Sequence, residues 1–180
     1  MGSIFFADIF GWLLLDYICE LVVPNTRFIK LFVVTKSMEH LAIMKKSWGL
    51  IPKILSGEKT IESRWYKNKY PPWNKIQEGE LVYFKNSGEP VTLKAGIKKV
   101  IQISDLTPGK VQEILDKYAK ADGIMQEKNE FFKIFQNKNY CILIFLKNPQ
   151  KIEPFEINKK GFGLMSAWIS VDNINIIKKT

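Results

Sequence analysis

The sequence predicts an α+β fold: a small mixed β-barrel with one strong helix and one or two weaker ones. Three observations carry this. Short β-prone runs recur between turn signals rich in Gly, Pro and Asn. One stretch, Val111 to Tyr118, has clear helical periodicity, and shorter helical patterns lie around Leu50 and Phe131. At 180 residues and 46% hydrophobic content, the chain is the size of one domain and can bury a full core.

Residues 1–37 stand apart. Ile4 to Val23 is strongly apolar, with Phe5, Phe6, Phe10 and Trp12. A membrane span needs about 20 such residues, but Asp8, Asp16 and Glu20 interrupt this run and each is costly at bilayer depth. No positive charge precedes it, as a secretory signal requires. Neither membrane reading fits and a membrane partner is not expected, although a membrane-associated helix stays open. Pro24 and Asn25 break the run, and Phe28 to Val34 reads as a short strand. The segment holds three basic and three acidic groups, so the whole net charge of +9 resides downstream. The expected organisation is an apolar N-terminal extension, 1–37, and a domain over 38–180, with Met38 as an alternative natural start.

Within 38–180, Leu41 to Lys45 reads as a strand. Ser47 is a candidate N-cap, Pro52 suits a first helical turn, and Leu50, Ile51, Ile54 and Leu55 form one apolar face. Trp48 and Leu50 are expected to pack this helix onto the barrel. Gly57 stops the helix, because glycine takes the left-handed conformation of a C-cap without steric cost. Thr60 to Tyr66 is β-prone. Trp65 to Lys75 reads as a loop, in which lysines alternate with aromatic rings and Pro71-Pro72 excludes a central strand. Leu81 to Lys85 is the next strand, then the turn Asn86 to Pro90, then Val91 to Ile103 as one long strand or a bent pair, with Gly96 at a bulge or corner. Thr107 caps a helix opened by Pro108, whose apolar face is Val111, Ile114, Leu115 and Tyr118. Phe131, Phe132 and Phe135 suggest a further short helix. Tyr140 to Leu146 reads as a well-buried strand in which Cys141 is a small hydrophobe. Lys151 to Ile157 reads as a separate edge strand, because Pro154 cannot donate to a ladder. Ser166 to Ile169 returns to β structure.

The chemistry concentrates in Gly57-Glu58-Lys59-Thr60-Ile61-Glu62-Ser63-Arg64. On a strand beginning near Thr60, Glu62 and Arg64 share one face, and Lys59 can reach back over it on its long stem. An acid between two cations can hold a phosphate, polarise a carbonyl or move a proton. A plain structural ion pair between Glu62 and Arg64 accounts for the same spacing. Arg27 and Arg64 are the sole arginines in a lysine-rich chain, which hints that the planar fork of Arg64 is needed where it stands. Trp65, Tyr66 and Trp73 are candidate stacking platforms for bases, although any one of them can equally plug the end of a barrel. Lys160, in the loop Lys159-Lys160-Gly161-Phe162-Gly163, is a candidate phosphate contact, but that loop lacks the P-loop order.

This octet, with a helix before it and an aromatic–basic loop after it, resembles the ASCH domain family of the PUA-like superfamily. Gly57, Lys59, Glu62 and Arg64 match the family's G-x-K-x-x-E-x-R signature. The resemblance covers roughly Glu39 to the C-terminus and leaves out the first 37 residues. It implies a PUA-like barrel, curved and partly closed, with helices at its rim and the signature residues lining a cleft. It also implies a link to RNA, single-stranded or modified, with Gly57, Lys59, Glu62 and Arg64 as binding residues, to which the loop composition adds Trp65, Tyr66, Trp73 and Lys160 as candidates.

Two alternatives stay open. One is a hydrolase using the same cleft, with Lys59 and Glu62 as catalytic residues: a metal-independent ribonuclease, or an amidohydrolase on a modified nucleoside such as N4-acetylcytidine. The amidohydrolases carry a nucleophilic threonine where this chain has Glu62, and Thr60 lies on the wrong register position. The other is a coactivator-type interaction module. No cofactor is expected. A Cys/His metal site is excluded by composition, with Cys19, Cys141 and His40 the sole such residues and no C-x-x-C pair. His40 is expected at the surface or partly buried. The two distant cysteines fit a reducing, cytoplasmic setting. Intact-mass measurement of the native protein tests the alternative start: a mass matching residues 38–180 is expected if Met38 initiates, and a mass of all 180 residues rules it out.

Overall fold

The computed structural model describes residues 37–163 and 165–179. The extension predicted over 1–37, and the strand predicted at 28–34, therefore lie outside the described residues, Ser37 excepted.

Six strands form one sheet: β1 (Glu39–Met44), β2 (Ile61–Tyr66), β3 (Leu81–Asn86), β4 (Val91–Ile103), β5 (Tyr140–Phe155) and β6 (Trp168–Val171). Their order is β2-β5-β4-β3-β1-β6. Only the β1–β3 pair is parallel; the others are antiparallel. The sheet curls into a half-barrel. Its two edges, β2 and β6, are not hydrogen-bonded to each other, yet Arg64 on β2 reaches the Ala167 carbonyl at the start of β6.

The concave side carries the main core. Alternate residues such as Ala42, Phe84, Leu93, Ile97 and Ile144 point inward, as the two-residue strand period requires. Three helices close over it: α1 (Leu50–Leu55), α2 (Pro108–Tyr118) and α3 (Lys128–Phe135). They contribute Leu50, Ile54, Val111, Leu115, Phe131 and Phe135 to the same cluster. A second, smaller core lies on the convex face, where Ile157, Ile174 and Ile177 cover Leu41, Tyr83, Ile169 and Val171.

Local signals explain most boundaries. Thr107 accepts from the Lys110 amide and Pro108 opens α2. Gly57 follows α1 with φ +80°, and its amide bonds back to the Ile54 carbonyl. Three expectations are corrected. Ser47 caps nothing: it lies in a 3-10 turn, and α1 starts after the left-handed Gly49. The two predicted strands Tyr140–Leu146 and Lys151–Ile157 are one strand, β5. Asn148-Pro149, between the two predicted strands, forms a bulge within β5, with Asn148 at φ +49° and the β4 register shifting opposite it. β2 pairs only with Tyr140 to Phe145, so Pro154 falls where β5 has a partner on one side alone. His40 is wholly buried rather than at the surface, because Glu80 and Ser170 satisfy both ring nitrogens.

Among the described residues, no helix is long and apolar enough to cross a membrane.

Candidate functional site

The cleft lies along the open seam of the half-barrel, between β2 on one side and β1 with the start of β6 on the other. It encloses about 190 Å³ and is lined by Lys59, Glu62, Ser63, Arg64, Tyr66 and Asp122 together with Ile43, Trp48, Phe131 and Phe135. That volume matches roughly six waters, the size of a single ring system rather than a strand.

The floor is built by the turn after α1. The Lys59 amide donates to the Lys53 carbonyl, and the Thr60 and Ile61 amides both donate to the Ala121 carbonyl beyond α2. This docks the 119–124 loop on the start of β2 and sets Asp122 beside Lys59. Gly123 makes the approach feasible: a Cβ there would come within 3.2 Å of the Lys59 Cβ, and its φ is +72°.

Lys59 is 2% exposed. Its ammonium donates to Asp122 Oδ1, to the Asp122 carbonyl at 2.9 Å, and lies 3.3 Å from Glu62 Oε2. Burial would lower its pKa, but the Asp122 and Glu62 carboxylates outweigh that and hold it above the ordinary lysine value. Asp122 is shifted up by its own burial and by Glu62, against the opposing pull of Lys59. Ser63 donates to Asp122 Oδ2 at 2.5 Å and accepts from Trp65 Nε1 at 2.9 Å. Glu62 Oε1 lies 2.9 Å from Arg64 Nε. The Arg64 guanidinium then spans the seam, donating to the Ala167 carbonyl at 3.1 Å and stacking on the Trp168 ring at 5.1 Å. Two cations thus face two carboxylates, and the cluster is balanced in charge. Glu62 Oε2 and Arg64 Nε are buried and, despite these ion-pair neighbours, make no aligned hydrogen bond.

The structure brings Lys59, Glu62 and Arg64 together and places Gly57 at the turn that feeds them. The aromatic candidates fare differently. Trp65, on β2, is a core residue, 9% exposed and stacked on Phe135 at 4.6 Å, and it also lines the cleft. Tyr66 lines the cleft, its hydroxyl pKa raised chiefly by burial. Trp73 lies off the cleft, edge-on to Tyr140 at 5.0 Å with the Lys69 ammonium over its ring. Lys160 is exposed on its own loop and lines no part of the cleft. The sequence reading missed Asp122, whose only signal was the Asp-Gly turn after α2, and Trp48, a 39%-exposed ring at the cleft wall. Among the described residues, no three His, Cys, Asp or Glu side chains gather as metal ligands.

No protein-family model matches the sequence, and no curated protein is similar to it. Solved structures are. A point variant of ZmASCH from Zymomonas mobilis aligns over 73% of this chain and 88% of its own, at 16% identity and a TM-score of 0.52. The fold is that of an ASCH domain. A second structure of the Zymomonas mobilis ASCH protein aligns over 64% of this chain and 71% of its own, at 18% identity and a TM-score of 0.48. The curved, partly closed α+β barrel that the resemblance implies is the fold observed.

Two stability outcomes follow from the cleft as built. Lys59→Ala strands two buried carboxylates and should cost about 3–5 kcal/mol in urea unfolding; adding Asp122→Ala should recover part of the loss. Trp65→Ala should cost about 3–5 kcal/mol as a core truncation, where a surface stacking ring would cost almost nothing.

Proposed function

We propose that this chain binds RNA, single-stranded or modified, and reads one base in the seam cleft. The observation that carries this is the charge balance of the cluster. A site for phosphate carries net positive charge, whereas Lys59, Glu62, Arg64 and Asp122 sum to zero. Such a floor, under walls of Trp48, Phe131 and Tyr66, suits an uncharged planar group with hydrogen-bonding edges. Glu62 accepts a base amino group and Arg64 donates to a ring nitrogen or carbonyl. Phosphates are met outside the cleft by the lysines that give the chain its +9 charge. Tyr70, 56% exposed beside Tyr66, is a free ring on which a neighbouring base can stack.

A hydrolase is the second reading. Within it, Lys59 acts as an electrostatic stabiliser rather than a base: three acceptors surround its ammonium and its pKa is raised.

The test is binding of a labelled single-stranded RNA to the full chain across a salt series. The logarithm of affinity should fall linearly with the logarithm of salt concentration. Arg64→Lys should weaken binding about ten-fold at every salt concentration without changing the slope, because it removes a directed contact and keeps the charge. Salt-independent affinity, or no effect of Arg64→Lys, overturns the proposal. RNA that is shortened rather than retained selects the hydrolase.

A further inference from the structure

We infer that Lys85 is the centre of a phosphate-binding site on the convex face, completed by Lys159 and Lys179, which takes a backbone phosphate of the strand whose base enters the cleft. The RNA part of this rests on the proposed function; the anion site itself does not.

Lys85 follows Phe84 on β3, so its stem lies on the face opposite the main core, the same side as Tyr83. The residue is 7% exposed. Its ammonium nevertheless makes no hydrogen bond among the described residues and is not sealed from solvent. The nearest carboxylate is Glu156 Oε2, at 4.0 Å, and that side chain is half exposed. A lysine commonly buries its methylenes and keeps its head at the surface; here the head has no close partner when it arrives there.

What surrounds it is further positive charge. The segment after β5 pairs with the end of the chain: the Asn158 amide donates to the Ile177 carbonyl at 2.7 Å and the Lys179 amide to the Glu156 carbonyl at 2.8 Å. Lys179 is thereby held across from Glu156. Phe162 packs on the convex core, and Lys159 Nζ donates to the Ser166 carbonyl at 2.9 Å. Three cations thus gather about one carboxylate, where the cleft sets two against two. Burial lowers the Lys85 pKa; Glu156 opposes this, while Lys159 and Lys179 lower it further. The fold supplies Lys59 with acceptors but supplies Lys85 with more donors, and a phosphate oxygen is the acceptor that such a group lacks.

The site adjoins the cleft. Ile43, the partner of Lys85 in the β1–β3 register, lines it. The Ser166 carbonyl taken by Lys159 is next in sequence to the Ala167 carbonyl taken by Arg64. The two sites share this wall, so a strand with one base in the cleft carries phosphates past Lys85.

The test titrates inorganic phosphate into the full chain at constant ionic strength and follows the lysine Cε NMR signals. The Lys85 signal, assigned by its loss in Lys85→Met, should shift saturably, and chloride should leave it in place. Lys85→Met keeps the buried stem without the charge; it should fold as wild type, and its Lys159 signal should no longer respond to phosphate. Glu156→Gln removes the competing carboxylate and should tighten phosphate about three-fold. A second arm repeats the salt series with labelled single-stranded RNA: Lys85→Met should reduce the slope of log affinity against log salt by about one, whereas Arg64→Lys leaves it unchanged. A Lys85 signal that ignores phosphate, or Glu156→Gln that weakens phosphate binding, overturns the site. A phosphate response with an unchanged RNA slope in Lys85→Met overturns the strand contact and assigns the site to free phosphate. If the RNA fails to bind at any salt concentration, the binding proposal falls, while the phosphate titration still decides the site.

Discussion

A buried ammonium organises this molecule. Lys59 is almost completely removed from water, and an isolated charge in that position would be prohibitive. It is tolerated because Asp122 and Glu62 surround it, and those carboxylates are themselves tolerable only because Lys59 is there. The three groups come from the turn after α1, from β2 and from the loop between α2 and α3. Satisfying one lysine therefore fixes how two helical segments meet an edge strand. The backbone contributes as well: the Ala121 carbonyl takes two amides from the start of β2, and Gly123 leaves room for the lysine stem.

The second constraint is the open seam. A six-strand sheet that curls without closing leaves two edges that pair with no further strand among the described residues, and open edges are a hazard in most β proteins. Here one side chain spans part of the gap. The Arg64 guanidinium is planar and multivalent, so it can pair with Glu62 on its own strand while donating to Ala167 and stacking on Trp168 across the seam. Lysine has the charge for this task but not the shape, which accounts physically for an arginine at 64 in a chain whose cations are otherwise almost all lysine.

Under the proposed function, these two constraints divide the labour of recognition. The cleft floor is neutral in charge, which favours selection among uncharged groups by hydrogen-bond pattern. The excess positive charge is spread over the exterior, where it attracts a polyanion over distances near the Debye length of about 8–10 Å. Affinity and selectivity would then reside in different parts of the same small domain.

Local order along the chain determined a good deal by itself. The helix, glycine turn and strand around Gly57 follow from glycine's conformational freedom and a change in apolar period. The alternation of side chains on β2 put Glu62 and Arg64 on one face, and the Thr107–Pro108 start of α2 is an equally local rule. Contacts between distant segments were decided only in three dimensions. Asp122 lies 63 positions from Lys59, and nothing in its neighbourhood marks it as a partner. Trp65 looked like a loop aromatic because the Pro-rich stretch begins soon after it, yet strand pairing with Cys141 carries it into the core. His40 looked like a surface histidine because its partners, Glu80 and Ser170, arrive from β3's approach and from β6. In each case the fate of a polar or aromatic side chain is set by whether distant residues satisfy or cover it. That depends on how the sheet curls, which no short stretch of sequence contains.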